Sequence, residues 1–300
     1  MKVFLTGAAG YIGGAIAVSL RRAGHEVLGL VRSSERASWL RSIGAEPLLG
    51  SMDDDVVIAD GAGRTDGTIN AASADHFVGV NLLINALAGT GKALIHTSGS
   101  SIVCDDARGS FASTVVFSDD TPFTPLPHRA GRAEIDRIVR AAGVYRGIRT
   151  SVICPTMVYG DGVAPATQSD QVPKLIEQSR RRGFGAHVGK GLNIWSNVFV
   201  NDLADLYVLA FQHAPSGSFF FAENGEEALV DVAASISQSL GFGGVTGTWN
   251  LVEATAELGM WPRVALATNA RVRATNAKEL LRWTPVGPSL RQALEGRARS

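Results

Sequence analysis

Residues 2–24 constrain this chain more than any other stretch. Lys2-Val3-Phe4-Leu5-Thr6 is a short apolar run of the kind that forms a buried strand. Gly7-Ala8-Ala9-Gly10-Tyr11-Ile12-Gly13 follows at once. Ile12, Ile16, Leu20 and Ala23 then recur at helical spacing up to Gly24, a helix-ending glycine. A glycine pattern alone is a weak signal; one set between a strand and a helix is specific. Glycines permit positive φ and let the backbone approach a pyrophosphate closely. The helix N-terminus behind them presents free N–H groups and a partial positive charge. The expectation is a dinucleotide cradle made of Gly7, Ala9, Gly10, Tyr11, Ile12 and Gly13. The plainer alternative is an ordinary tight turn with a packing glycine.

Three hundred residues, 45% of them hydrophobic, suffice for one large α/β domain with a smaller partner. The formal net charge is zero, which argues against nucleic acid or an anionic membrane as partner. The two cysteines, Cys104 and Cys154, lack metal-ligand spacing. They read as reduced thiols, which points to a cytoplasmic protein without a metal site. Asp53-Asp54-Asp55 reads as the acidic start of a helix rather than a metal cluster. No apolar run reaches the length of a membrane span.

Further along, strand-like and helix-like segments alternate, the pattern of a doubly wound parallel sheet. A second strand over 25–31 ends at Arg32, about twenty positions after Gly13, where an NAD-binding fold places an acid on the ribose 2′-OH. Arg32, with Ser33 and Arg36 beside it, would instead pair with a 2′-phosphate. NADP(H) is therefore expected over NAD(H), unless Arg32 is only a solvated strand-end charge. A third strand over 45–49 leads to Ser51 and Met52, expected beside the adenine. A fourth over 67–73 carries Ala71, Ala72 and Ser73, small enough to pass close to a cofactor. A fifth over 93–97 runs into Ser98-Gly99-Ser100-Ser101, hydroxyls at the end of a parallel strand, where ligands bind in such sheets. Arg149–Cys154 makes a sixth, and Asn197–Val200 another that runs into a helix.

These pieces together resemble the extended or atypical short-chain dehydrogenase/reductases of the NAD-dependent epimerase/dehydratase group. The matching motifs are Thr6-Gly7-x-x-Gly10-x-x-Gly13, Asn70-Ala71-Ala72-Ser73, Thr97-Ser98-Gly99-Ser100-Ser101, Pro155-Thr156-Met157-Val158-Tyr159-Gly160, Val198-Phe199-Val200-Asn201-Asp202 and Leu281-Arg282-Trp283-Thr284-Pro285. The resemblance implies a seven-stranded Rossmann core and a smaller C-terminal substrate lobe. The core would span 1–160 with 196–213 returning to it, and the lobe 161–195 and 214–300. Thr97 and Ser98 would lie against the cofactor, and Pro155, Met157 and Val158 would pass its nicotinamide. A homodimer through two helices is common in such proteins.

One departure stands out. The family's catalytic Tyr-x-x-x-Lys pair is replaced by His128-Arg129-Ala130-Gly131-Arg132, with Asp136 at the acidic position four further on. Ser51, Cys154 and Phe199 replace a common Asp, Arg and His. As i and i+4 on one helix, His128 and Arg132 share a face, and steps of three and four from Arg132 reach Ile135 and Val139 on its apolar stripe. The pair is thus expected on the inward side. A helix N-terminus and a neighbouring guanidinium both hold the imidazole neutral, so His128 with Ser100 would polarise a carbonyl rather than store a proton. Tyr159, Ser98 or water is the alternative proton donor. Asn193 and Trp195, in a polar, aromatic segment, are expected to touch substrate; Asn269, Arg271 and Arg273 share a face toward substrate or water.

The expected function is an NADP(H)-dependent oxidoreductase acting on a small carbonyl or alcohol by hydride transfer. The alternatives are a sugar-nucleotide epimerase or dehydratase, and a non-catalytic NADP(H)-binding sensor.

Overall fold

The computed structural model describes residues 1–166 and 168–297; Thr167 and 298–300, which fall inside the expected lobe boundaries, lie outside the described residues. The first half alternates strand and helix: β1 (Lys2–Thr6), α1 (Tyr11–Arg22), β2 (Glu26–Val31), α2 (Ser34–Ser42), β3 (Glu46–Leu49), α3 (Asp55–Gly63), β4 (Gly67–Asn70), α4 (Phe77–Leu87) and β5 (Ala93–Thr97). Helix α5 covers Ala130–Tyr145 and precedes the strand Arg149–Pro155. Later come α6 (Gln171–Arg182) and α7 (Val200–His213), then the strand Ser218–Ala222.

Seven of the strands form one sheet in the order Ser218–Ala222, Arg149–Pro155, β5, β4, β1, β2, β3. All neighbouring pairs are parallel. A parallel sheet must be covered on both faces, and strand periodicity supplies the two coats. Val3 and Leu5 enter a core with Ile16 and Leu20 of α1 and Leu203 and Tyr207 of α7. Phe4, between them, faces the other way, into a core with Ile58, Leu83 and Val139 of α3, α4 and α5. Each fully buried aliphatic side chain of this kind contributes roughly 1.5–3 kcal/mol. The strand order reverses between β1 and β4, and a crevice opens at such a reversal beyond the carboxyl ends of the strands.

The smaller lobe has a third core around Trp249, Leu175 and Trp195. Its sheet joins Gly225–Ala228, Ile194–Phe199 and Met157–Tyr159. Three expected boundaries need correction, the first being Met157–Tyr159, assigned to the core but paired in the lobe sheet. Ser218–Ala222, assigned to the lobe, is the edge strand of the large sheet, paired with Ser151–Pro155. Residues 196–199, assigned to the core, belong to the lobe sheet, and only α7 returns to the large one. A short apolar run carries no sign of which sheet it joins.

Candidate active site

Gly7 has φ +66°, and a Cβ on it would lie 2.4 Å from Ala71 O. A Cβ on Gly13 would lie 2.1 Å from Gly7 O. Both glycines are therefore required by backbone packed on backbone. Gly10 N donates to Gly7 O at 2.8 Å, and Gly10 N-caps α1 without a side-chain cap. The first amides of α1 remain for a ligand.

Cavities open on either side of this turn. The first, of about 300 Å³, is lined by Gly7, Ala9 and Gly10, then by Arg32 and Arg36. Ser51, Met52, Ala71, Ala72 and Ser73 close it. Ser33 is not on its wall; its Oγ caps α2 by accepting from Arg36 N at 3.4 Å. Glycine cradle, uncapped helix end and adjoining cavity together fit a dinucleotide.

The second cavity, of about 380 Å³, is bounded by Tyr11, Ile12, Pro155 and Val158 on one side. Ser98, Ser100, Ser101, Arg129 and Arg132 line its floor, and Trp195 and Trp261 come from the lobe. Ser100 is 2% exposed and its Oγ has no partner. Arg132 donates through Nε and Nη2 to both carboxylate oxygens of Asp75, at 2.9 and 2.6 Å. Its Nη1 donates to Ser101 Oγ at 3.2 Å. The Arg132 guanidinium holds the Asp75 carboxyl below its ordinary value.

Beneath this floor runs a buried polar column. Thr6 Oγ1 donates to Asn70 Oδ1 at 2.6 Å. Asn70 Nδ2 is then the donor to His96 Nδ1, 3.1 Å away. That contact leaves the proton of the neutral ring on Nε2, 3.8 Å from Asp136 Oδ1. Ser98 Oγ donates to Asp136 Oδ2 at 2.6 Å. Burial, reinforced by Arg132, pushes His96 down to about 4. Burial also pushes Asp136 up to about 7 against the opposing Ser98 hydrogen bond. Asp136 further borders a cavity of about 630 Å³ on the other side of α5.

The sequence pattern of the NAD dependent epimerase/dehydratase family matches residues 3–220. The chain belongs to this family. The family makes it an NAD(P)-dependent enzyme of the oxidoreductase, epimerase and dehydratase type. Over 98% of its length it is 32% identical to a protein named "Oxidase ucsJ" from Acremonium sp, covering 95% of that protein. Over 75% it is 27% identical to the 4-hydroxy-2-methyl-3-oxo-4-farnesyl-3,4-dihydroquinoline-1-oxide ketoreductase of Stigmatella aurantiaca, covering 69% of that protein. Its fold matches the dTDP-glucose 4,6-dehydratase of Bacillus anthracis with a TM-score of 0.79 at 17% identity, over 100% of this chain and 96% of that one.

In this member of the family, several residues expected at the site are elsewhere. His128 lies in a 3₁₀ turn over Pro127–Arg129 ahead of α5, exposed, and is not on the cleft wall. Helical periodicity does not extend through that turn, so His128 and Arg132 do not share a face. Burial first, then Arg129 and Arg263, lower the pKa of His128. Tyr159 is 1% exposed, its hydroxyl donates to Pro288 O at 2.7 Å, and burial raises it to about 12. Met157 is buried in the third core. Thr97 Oγ1 is bonded to the Tyr207 hydroxyl at 2.7 Å, away from the cleft. Asn193 is fully buried, its Nδ2 donating to Leu266 O and Thr268 O. Trp195 lines the cleft but gives its Nε1 proton to Thr268 O at 2.6 Å. Arg271 and Arg273 both grip Glu226, and Asn269 is bonded to Asp105.

Sequence reasoning missed Asp75 and the presence of Arg129 on the cavity floor. Asp75 lies 57 positions from Arg132, and nothing local couples them. Among the described residues no group of three or more metal-ligating side chains occurs, and no helix is long and apolar enough to cross a membrane.

Proposed function

We propose that the chain is an NADP(H)-dependent oxidoreductase that interconverts a small carbonyl compound and its alcohol. The single observation that carries this reading is the unpartnered Ser100 Oγ, 2% exposed, on the wall of a cavity adjoining the glycine turn. A buried hydroxyl without a partner is costly, and a substrate carbonyl would satisfy it. The bound nicotinamide supplies the hydride. The chain must supply the proton, and Ser98 backed by Asp136 is suited to it. A protonated Asp136 carboxyl turns the shared hydrogen bond around, leaving the Ser98 proton free for the new alkoxide. The cavity beyond α5 gives that carboxyl a route to solvent protons. Arg132, pinned by Asp75, keeps a fixed positive charge at the cleft floor.

The preference for NADP(H) rests on Arg32 and Arg36 at the first cavity. A guanidinium at the end of β2 favours a 2′-phosphate where a carboxylate would repel it. The Stigmatella relative is named a ketoreductase, which agrees with carbonyl reduction. The test is NADPH oxidation, followed by absorbance, against a panel of small aldehydes and ketones. Turnover of at least one, lost in Ser100→Ala, is expected. The exposure of His128, which the resemblance aligns with the family's tyrosine, favours a second reading, a non-catalytic sensor. NADPH binding without turnover of any substrate would select it.

A further inference from the structure

The charges lining the second cavity do not cancel. Arg132 is matched by Asp75 at 2.6 Å. Asp170 is matched by Lys174 at 3.4 Å. Arg129 is left over: no carboxylate lies within ion-pair distance of it among the described residues. Its Nε is buried with no hydrogen-bond partner. Burial first, then the like charge of Arg132, work against keeping it ionised, and the more distant Asp75 offsets them only in part. Cys104, its other neighbour, is a thiol that burial holds protonated, so it offers no counter-charge. Beyond its hydrogen bond to that thiol, this partly desolvated guanidinium has a buried, unpartnered Nε. Such a group is costly to fold around, and an anion of the right geometry removes that cost.

The rest of the cavity limits what that anion is. The dinucleotide's phosphates already have receptors, at the start of α1 and at Arg32 and Arg36. Arg129 belongs to the other cavity, where it shares a space of about 380 Å³ with Ser100, Trp195 and Trp261. The lobe side of that space presents indole rings, and Lys174 packs over the Trp261 ring at 4.2 Å. One cation, one free hydroxyl and an aromatic wall describe a short molecule with an anionic end, a carbonyl and an apolar body.

We propose that the substrate is an oxo acid, its carboxylate paired with the Arg129 guanidinium, its carbonyl oxygen on Ser100 Oγ and its alkyl part against Trp261. This rests on the carbonyl-reductase reading above. In the reduction the carbonyl carbon gains the hydride from bound NADPH, the oxygen gains one proton, and the carboxylate is unchanged.

The test compares short α- and β-oxo acids with their methyl esters as substrates of the NADPH-loaded protein. A bidentate guanidinium–carboxylate pair discriminates strongly, so kcat/KM should favour the acids by about tenfold or more. In Arg129→Gln that acid-over-ester ratio should collapse, chiefly through KM, and Arg129→Lys should restore part of it. Esters used as well as acids by the unaltered protein would overturn the proposal. So would an Arg129→Gln variant that keeps the acid preference but loses NADPH affinity. Calorimetry of hexanoate with the dinucleotide-free protein separates the two layers of the argument. If no carbonyl of either kind is reduced but hexanoate binds and Arg129→Gln abolishes it, the reductase reading fails and the anion site stands. If carbonyls are reduced but hexanoate binds both proteins alike, or neither, the anion site fails alone.

Discussion

Arg132 reaches out of α5 to Asp75 in the loop after β4, and the two form a bidentate pair at 2.9 and 2.6 Å. The pair ties α5 to the loop carrying Ala71 and Ala72. Arg132 thereby carries a charge that cannot swing. Asp75→Asn removes the counter-charge and leaves Arg132 with 16% of its side chain exposed and no anion beside it. Because the Asp75 side chain is 60% exposed, water screens the pair. The expected loss of folding stability is only about 1 kcal/mol. A drop in kcat/KM of about tenfold is expected from the freed guanidinium, read by steady-state kinetics.

The turn is less forgiving. Gly13→Ala places a methyl group 2.1 Å from Gly7 O, a contact only backbone movement relieves. Displacing that turn moves the N–H groups meant for the pyrophosphate. Dinucleotide binding should weaken by about a hundredfold or more, while stability falls by roughly 1–3 kcal/mol. Calorimetric titration and thermal unfolding of the same variant measure both.

The parts of this fold that were legible in the sequence are those set by local chemistry. The glycine turn, the strands of the first half and the stripe of Ile135 and Val139 follow from rules that act over a few residues. The placement of Ser218–Ala222 in the large sheet does not, because Phe219-Phe220-Phe221 suits either sheet. The cleft was legible on the cofactor side, where residues near Arg32 and Gly10 line it directly. On the substrate side it was legible only in part: Ser100, Arg132 and Trp195 line the cavity as expected, and His128 and Asn193 do not. His128 was read as helical, but the chain before α5 takes a tighter 3₁₀ turn that aims the ring at solvent. Asn193 looked like a free polar group and is consumed by two backbone carbonyls supplied from more than seventy positions away.

Cofactor choice is tested at the end of β2. Arg32→Glu replaces a cation with the carboxylate that would repel a 2′-phosphate. The ratio of NADPH to NADH affinity should fall by about tenfold or more. Equal affinities in the unaltered protein would remove Arg32 and Arg36 from the selection.

Asp136 sets the pH dependence. Its carboxyl titrates near 7 because burial disfavours the anion. If its protonated form supplies Ser98, carbonyl reduction should decline as pH rises through about 7. Asp136→Asn should flatten that limb and lower kcat, whereas a merely structural role would leave its shape intact. His96 on β5, Arg132 and Arg140 on α5 itself, Asp75 after β4 and Cys154 on the adjacent strand are the ionisable groups that surround it. Stability follows the same sign. The unfolded carboxyl ionises near 3.9, so folding carries a growing cost from there up to about 7. Asp136→Asn should therefore be relatively more stable at pH 8 than at pH 4, by up to about 4 kcal/mol, measured by denaturant unfolding.

Titration calorimetry of the purified protein with NADPH, NADP⁺, NADH and NAD⁺ tests the central claim most directly, that the turn at Gly7–Gly13 holds a nicotinamide dinucleotide. Heat with all or most of the four, strongest for the phosphorylated pair and abolished in Gly13→Ala, is the expected result. No binding of any of them would contradict the account at its root.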